Sequence, residues 1–352
     1  MSDSDHSNTR QLDAVRLEEY LVPRVEGMRG QLSIVRLSGG QSNPTYRVTD
    51  ATGRSFVLRK RPAGKLLPSA HAVDREYRVI SALHAVGFPV PRTYLLCEDD
   101  SIIGTAFYVM DFVPGRSLWE QSLPGMGKIE RAAIWDEMNR VLARLHAIDF
   151  RAIGLSEFGR AGNYFERQIA RWSKQYRASE TERIEAMDNL IDWLPGNIPA
   201  GDETSIVHGD LRLDNLMFHP TEPRVVAVLD WELSTLGHPL ADLAYLAMSW
   251  HIPSTACRGI AGLDHAALGI PAERDVVAAY CRRAGRELVP EAHWNFYIAY
   301  NLFRLAAILQ GIAKRALEGT AASSEAIETG RRARPLAELG WANVEQIVAR
   351  GA

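Results

Sequence analysis

The stretch Ile206–Glu232, I-V-H-G-D-L-R-L-D-N-L-M-F-H-P-T-E-P-R-V-V-A-V-L-D-W-E, decides the fold, because it sets out at fixed spacing the groups that phosphoryl transfer requires. Asp210 lies two residues after His208 and five before Asn215, and Asp230 closes an apolar run fifteen residues beyond Asn215. Moving a phosphoryl group asks little covalent chemistry of a protein; a carboxylate near the acceptor hydroxyl and oxygen ligands for a divalent cation supply most of it. Asp210 is the candidate base, and Asn215 and Asp230 are the candidate Mg²⁺ ligands. Either piece alone has a plainer reading, since His-Gly-Asp is a common turn and an Asp after a strand commonly caps a helix. The combination is more specific. Val225–Leu229 has a buried-strand pattern, Leu216–Phe218 is a short apolar partner and Pro220–Arg224 is a hairpin connection. Two short strands thus hold the two ligands on neighbouring ends.

With Gly209 after the histidine, Trp231-Glu232 after the aspartate and G-H-P-L-A-D-L-A at Gly237–Ala244, the chain resembles the aminoglycoside phosphotransferase and choline kinase group of protein-kinase-like small-molecule kinases. The resemblance implies an α+β, bilobal protein-kinase-like fold with a small β-rich N-terminal lobe and a larger helical C-terminal lobe. Residues 1–111 would form the nucleotide-binding lobe and 112–352 the catalytic and substrate lobe. It further implies ATP and Mg²⁺ as cofactors, a small-molecule hydroxyl as acceptor, and Asp242 as a brace for the catalytic loop.

The N-terminal third reads as such a lobe. Leu32–Leu37 is strand-like, Ser38, Gly39, Gly40, Gln41, Ser42 and Asn43 form a flexible polar turn, and Thr45–Val48 resumes the strand pattern. Glycines in a turn let backbone N–H groups approach phosphates closely, although a Gly-Gly turn is more often just a hairpin. In the family the next strand ends in a phosphate-pairing cation. Aligning Phe56-Val57-Leu58-Arg59 with the kinase pattern V-A-I-K puts Arg59 at that position, with Lys60 as the alternative. Adjacent strand residues face opposite ways, so only one of the pair can serve. Val73, Tyr77, Ile80, Leu83 and Val86 then fall at helical spacing, and Glu76 on that helix is, by resemblance, the partner of the strand cation. Phe107–Met110 is a buried strand. Asp111–Gly115 reads as the connection between lobes, where adenine would be read by backbone groups around Asp111 to Val113.

Composition excludes several alternatives. A chain of 352 residues, 46% hydrophobic, can bury a sizeable core in two lobes, and a net charge of −3 gives no global electrostatic case for nucleic acid. Cys97, Cys257 and Cys281 lack metal-ligand spacing, which suggests reduced thiols and a cytoplasmic setting. The first twenty residues are polar, without a signal-peptide core, and no run approaches the ~20 apolar residues of a membrane span. The remainder is mostly helical, with helices expected over Asn8–Leu21, Ile129–Ile148, Asn163–Arg177, Thr181–Leu194, Glu273–Ala284, Glu291–Ala316 and Ser323–Arg350, the last broken near Pro335. The aromatic run His293–Tyr300 is core or cleft wall rather than a stacking platform, because no basic groove accompanies it.

Acceptor identity is less legible. From His251 to the C-terminus twelve Lys/Arg stand against ten Asp/Glu, without the acidic excess a polycationic aminoglycoside would favour. The segments L-S-G-G-Q-S-N-P-T-Y, R-P-A-G-K-L-L-P-S-A-H-A-V-D-R-E-Y and H-G-D-L-R-L-D-N resemble the kinase-like domain fused to some acyl-CoA dehydrogenases. That resemblance implies a hydroxylated acyl-CoA acceptor such as a 4-hydroxyacyl-CoA, with Arg36, Arg59, Arg61 and Lys65 available to an anionic carrier. The alternatives are an antibiotic kinase and a non-catalytic nucleotide-binding pseudokinase, the latter disfavoured by the presence of Asp210, Asn215 and Asp230 together.

Overall fold

The computed structural model describes residues 12–37, 43–62, 72–255, 259–319 and 326–351. Ser38, Gly39, Gly40, Gln41, Ser42, Lys65 and Cys257 lie outside the described residues. The chain divides into two compact units, one formed by residues up to His84 with Pro91–Val113, the other by Ala85–Val90 with everything from Pro114 onward.

The smaller unit is built on a five-stranded antiparallel sheet, β1 (Ser33–Arg36), β2 (Thr45–Thr49), β3 (Ser55–Lys60), β4 (Thr93–Cys97) and β5 (Phe107–Asp111), in the order β1-β2-β3-β5-β4. Helices α1 (Ala14–Leu21), α2 (Val73–Ala85) and the single turn α3 (Asp100–Ile103) accompany it. Strand alternation sorts β3 into two faces. Phe56 and Leu58 join Leu17 and Leu21 of α1, Val48, Phe107 and Val109 in one apolar cluster, which leaves Val57 and Arg59 for the opposite face. Helix α1 starts at Ala14, where the Asp13 carboxylate accepts the Val15 and Arg16 N–H groups at 3.1 Å; the start expected at Asn8 falls outside the described residues. On α2 the buried face is Val73, Glu76, Val79, Ile80 and Leu83. Val86, expected on that face, follows the helix end and is exposed.

The larger unit is mainly helical. Its strands are β6 (Arg116–Ser117), β7 (Ser205–Val207), β8 (Leu216–Phe218), β9 (Val225–Val228) and β10 (Thr235–Gly237), arranged as a β6-β8-β9 sheet and a β7-β10 pair. Its helices are α4 (Lys128–His146), α5 (Tyr164–Ser179), α6 (Glu185–Trp193), α7 (Pro239–Ala247), α8 (His265–Leu268), α9 (Glu273–Arg283), α10 (Glu291–Leu317), α11 (Ala326–Arg331) and α12 (Ala333–Gly351). The break before Pro335 falls at Arg332, which puts the proline in the first turn of α12, where its missing N–H costs nothing. Residues 181–184, expected as the start of a helix, instead connect α5 to α6.

Helix α10 corrects an expectation. By length and composition it is apolar enough to cross a membrane, because the few polar residues within it do not offset its Ile, Leu, Phe and Ala content. Yet 78% of its most apolar window is buried inside the unit, against α5, α7 and α12, which is the environment of a core helix. The aromatics Trp294, Phe296, Tyr297 and Tyr300 are buried there, the last three packing with Phe165 and Tyr297 also with His238.

Candidate active site

Strand β7 delivers the chain into the loop His208–Asn215, and the loop's shape follows from three local features. Gly209 has φ +80, and a Cβ there would stand 2.7 Å from the Leu233 carbonyl oxygen, so only glycine fits. His208 is fully buried; its Nδ1 accepts the Asp210 N–H at 3.2 Å, which puts the proton on Nε2, donated to the Leu229 carbonyl at 2.9 Å. The Trp231 indole packs 4.7 Å from the His208 ring and donates its N–H to the Val228 carbonyl. A large ring after Asp230 therefore wedges the histidine in place.

Asp242, on the first turn of α7 and only 2% exposed, holds the loop from below. Its Oδ2 accepts the His208 backbone N–H at 2.5 Å and its Oδ1 the Gly209 N–H at 2.8 Å. His146 Nε2 lies 3.5 Å from Oδ2, and His146 Nδ1 is 2.7 Å from the Tyr280 hydroxyl. Burial alone would raise the Asp242 carboxyl, but the hydrogen bonds from His146 and from the Gly209 N–H outweigh it and hold the group below its ordinary range. His146 is thus part of a buried bracing chain.

The three residues read from spacing come together at the loop's end. Asn215 donates its side-chain amide to both the carbonyl oxygen of Asp210, at 2.8 Å, and Asp210 Oδ2, at 3.0 Å. Its own backbone carbonyl accepts the Leu229 N–H at 2.9 Å, next to Asp230. Strands β8 and β9 pair from Leu216 with Val228 onward, and His219 donates to the Arg224 carbonyl at 2.7 Å to close the hairpin. Asp230 adopts φ 63, ψ 64, a left-handed conformation that Asp tolerates better than most residues. With its amide donor committed to Asp210, Asn215 has a side-chain carbonyl oxygen to offer a cation. That oxygen and the Asp230 carboxylate are the hard donors Mg²⁺ takes, and two protein ligands are the usual number where phosphates and water complete the shell. Among the described residues no group of three or more His, Cys, Asp or Glu forms a self-sufficient metal cage.

Two further groups address Asp210. Tyr245, three residues along α7 from Asp242 and so on the same helix face, donates its hydroxyl to Asp210 Oδ1. Burial first, then the neighbouring Asp210 charge, push the Tyr245 hydroxyl far above its ordinary range, so it remains a donor. Arg212 Nε lies 3.3 Å from Asp210 Oδ2 and 3.4 Å from Asp214 Oδ1. Burial disfavours its charge, but Asp210, Tyr245 and Asp214 more than compensate. Tyr245 directly follows the G-H-P-L-A-D-L-A segment, and its helical spacing from Asp242 was the available signal.

In the smaller unit, Arg59 stands across from Tyr108 in the β3–β5 register, and cross-strand partners share a face. Both reach Glu76 of α2. Arg59 Nε lies 3.0 Å from Glu76 Oε2, the Tyr108 hydroxyl donates to the same oxygen at 3.0 Å, and Asn43 Nδ2 donates to Oε1 at 2.6 Å. Glu76 is 1% exposed and the Arg59 side chain 12%. Lys60, one residue on, pairs opposite Phe107 on the other face, and burial followed by the Arg36 charge lowers its ammonium below the ordinary value. Asp111 is the last residue of β5 rather than part of a connection. Its N–H is committed to the Arg92 carbonyl at 2.8 Å, and its carboxylate accepts the Tyr94 hydroxyl at 2.6 Å with Arg54 at 3.6 Å.

The chain as a whole has relatives among known proteins. The sequence pattern of the phosphotransferase enzyme family matches residues 33–280. The chain belongs to this family. A crystal structure from Ralstonia eutropha JMP134, described as a candidate aminoglycoside phosphotransferase, is 56% identical with a TM-score of 0.87, covering 96% of this chain and 99% of that one. Choline kinase from Cryptosporidium parvum Iowa II shares the fold at 12% identity and TM-score 0.68, over 96% of this chain and 97% of its own. Acyl-CoA dehydrogenase family member 10 of Mus musculus is 49% identical over 314 residues, 89% of this chain but 29% of that protein. The chain therefore spans under a third of that relative's length. The fold is the α+β bilobal kinase-like one, and membership of the family makes the chain a small-molecule kinase.

Proposed function

We propose that the chain transfers the γ-phosphoryl group of ATP, with Mg²⁺, to a hydroxyl of an acyl-CoA, a 4-hydroxyacyl-CoA being the favoured acceptor. The observation that supports the catalytic part is the double hydrogen bond from Asn215 to Asp210, combined with the backbone bond from Leu229 to Asn215, which ties together the residues that would serve as base and metal ligands.

In this reading Asp210 Oδ2 accepts the acceptor's hydroxyl proton as the oxygen attacks phosphorus. Tyr245 and Asn215 orient the carboxylate and Asp242 fixes the loop's backbone. Bound Mg²⁺, held by Asn215 and Asp230, would neutralise charge on the phosphate oxygens. Arg59, positioned by Glu76, would pair with the nucleotide phosphates, and the Asn43 end of the glycine turn would lie alongside them. Since the Asp111 N–H is already bonded, the base would be read through the Asp111 carbonyl and the Val113 N–H.

The acceptor assignment is supported by similarity to acyl-CoA dehydrogenase family members and by the absence of an acidic excess beyond His251. ATP consumption across hydroxyacyl-CoAs, amino alcohols, sugars and aminoglycosides tests it. The expected result is highest kcat/KM on a hydroxyacyl-CoA; better turnover of an aminoglycoside would overturn the assignment.

A further inference from the structure

Arg304 is the only Asp, Glu, Lys or Arg between Glu291 and Lys314, a lone charge at the centre of the apolar helix α10. Its residue is 6% exposed. A buried guanidinium is costly unless a carboxylate and hydrogen bonds compensate it, and buried charges are normally paired. Among the described residues, however, no carboxylate oxygen lies within 4.0 Å of Arg304 and its guanidinium makes no hydrogen bond to the protein. What surrounds it is aromatic: the guanidinium carbon is 5.7 Å from the Trp172 ring centre, on α5, and 5.3 Å from that of Tyr245, on α7. Burial weakens its hold on the proton, but Tyr300, Tyr164, Tyr245 and Asp210 more than restore it, so the group stays cationic.

Tyr245 makes this more than a core curiosity. Its ring faces Arg304 and its hydroxyl bonds Asp210, so the charge stands one phenol ring from the catalytic carboxylate. An aromatic enclosure beside the base is the feature that would attract a cationic acceptor. Here the chain's own cation occupies it. The enclosure therefore repels ammonium groups and offers N–H donors to a negatively polarised oxygen.

Resting on the kinase reading above, we propose that Arg304 is the acceptor-recognition residue, binding the acyl oxygen of the substrate, whether thioester carbonyl or carboxylate, and thereby presenting a hydroxyl a few atoms away to Asp210. Selection of an acyl-bearing alcohol over an amine-bearing one follows directly from the sign of this charge.

The test uses the full chain with Mg·ATP and three probes: 4-hydroxypentanoyl-CoA, free 4-hydroxypentanoate and 1,4-pentanediol, which lacks the acyl oxygen. Arg304→Met should raise KM for the acyl probes on the order of 30-fold, the size of a lost hydrogen bond from a charged donor, and the loss on the diol should be at least about ten times smaller. Arg304→Lys should recover part of the acyl loss. Thioester against free acid tells which oxygen source is used, and Mg·ATP affinity by calorimetry reports that the variants are folded. Equal losses on acyl probes and diol would make Arg304 purely structural and overturn the proposal. Should the variants not fold, the wild type decides: pentanoate must compete with the acceptor more strongly than pentylamine, and the reverse order overturns the assignment. Turnover confined to aminoglycosides would sink this inference while leaving the kinase standing, whereas no phosphorylation of any acceptor would remove both.

Discussion

Replacing Asp242 with Asn separates what holds the catalytic loop from what performs the chemistry. The carboxylate accepts two backbone N–H groups, one on each oxygen, and is almost wholly buried. An amide can keep one of these bonds; its NH₂ must then face the other N–H, donor against donor. Losing one charge-assisted bond costs about 1.5–3 kcal/mol, and stranding a buried donor costs about 1–3 kcal/mol more, which partly overlaps the first. A destabilisation of roughly 3 kcal/mol follows, a fall in Tm of about 6–12 °C on the scale of domains this large. Because His208 and Gly209 carry Asp210, turnover should fall as well, by on the order of 100-fold if the loop shifts by about 1 Å. The carboxyl is held below its ordinary range, so its contribution is complete above the unfolded pKa of about 3.9 and is lost as pH drops through the lower folded value. The wild-type advantage over Asp242→Asn should therefore be constant from neutral pH down to about 5 and shrink only in stronger acid. Calorimetric melts of both proteins across pH, with turnover measured alongside, check this. A variant that melts and turns over like the wild type would refute the bracing role.

Two further predictions concern the nucleotide. Arg59→Ala should weaken triphosphate binding at least about ten-fold more than Lys60→Ala, since Arg59 shares a face with Tyr108 and Glu76 while Lys60 lies on the other; equal or reversed losses in Mg·ATP calorimetry would show that the wrong residue of the pair was chosen. Asp230→Ala removes the one charged ligand beside Asn215 and should abolish the Mg²⁺ dependence of ATP binding, so unchanged Mg·ATP affinity would place the cation elsewhere.

The loop Ile206–Glu232 was legible because two kinds of signal coincide there: polar residues at fixed spacing, and an apolar alternation that forces β8 and β9 into a hairpin. For the Arg59–Glu76 pairing, strand alternation allowed only one of Arg59 and Lys60 to serve, while Glu76 was supplied by the family resemblance and not by the helical period. Tyr245 and Arg304 were not. Tyr245 meets Asp210 from 35 residues away, through the placement of α7, and its one local signal was its position a helical turn beyond Asp242. Helix α10 is apolar nearly all round because it is buried nearly all round, so periodicity could not say which of its sides meets α7. The same property made its likeness to a membrane span easy to miss, as His, Asn and Arg interrupt the run but still leave its mean hydropathy within the range of one. Val86 was assigned to a buried face because its spacing continues that of α2, but the helix stops at Ala85 and periodicity carries no information beyond a helix end.

The central claim is that Asp210 serves phosphoryl transfer to a substrate hydroxyl, and phosphorus NMR of the full chain with Mg·ATP and a 4-hydroxyacyl-CoA addresses it directly. Wild-type protein should produce a phosphomonoester resonance as ADP accumulates. Asp210→Asn, which keeps the shape but cannot take the proton, should form it ~10²-fold more slowly or worse while still binding Mg·ATP. A near-normal rate in Asp210→Asn, or ADP appearing without a phosphomonoester on any acceptor, would contradict the account.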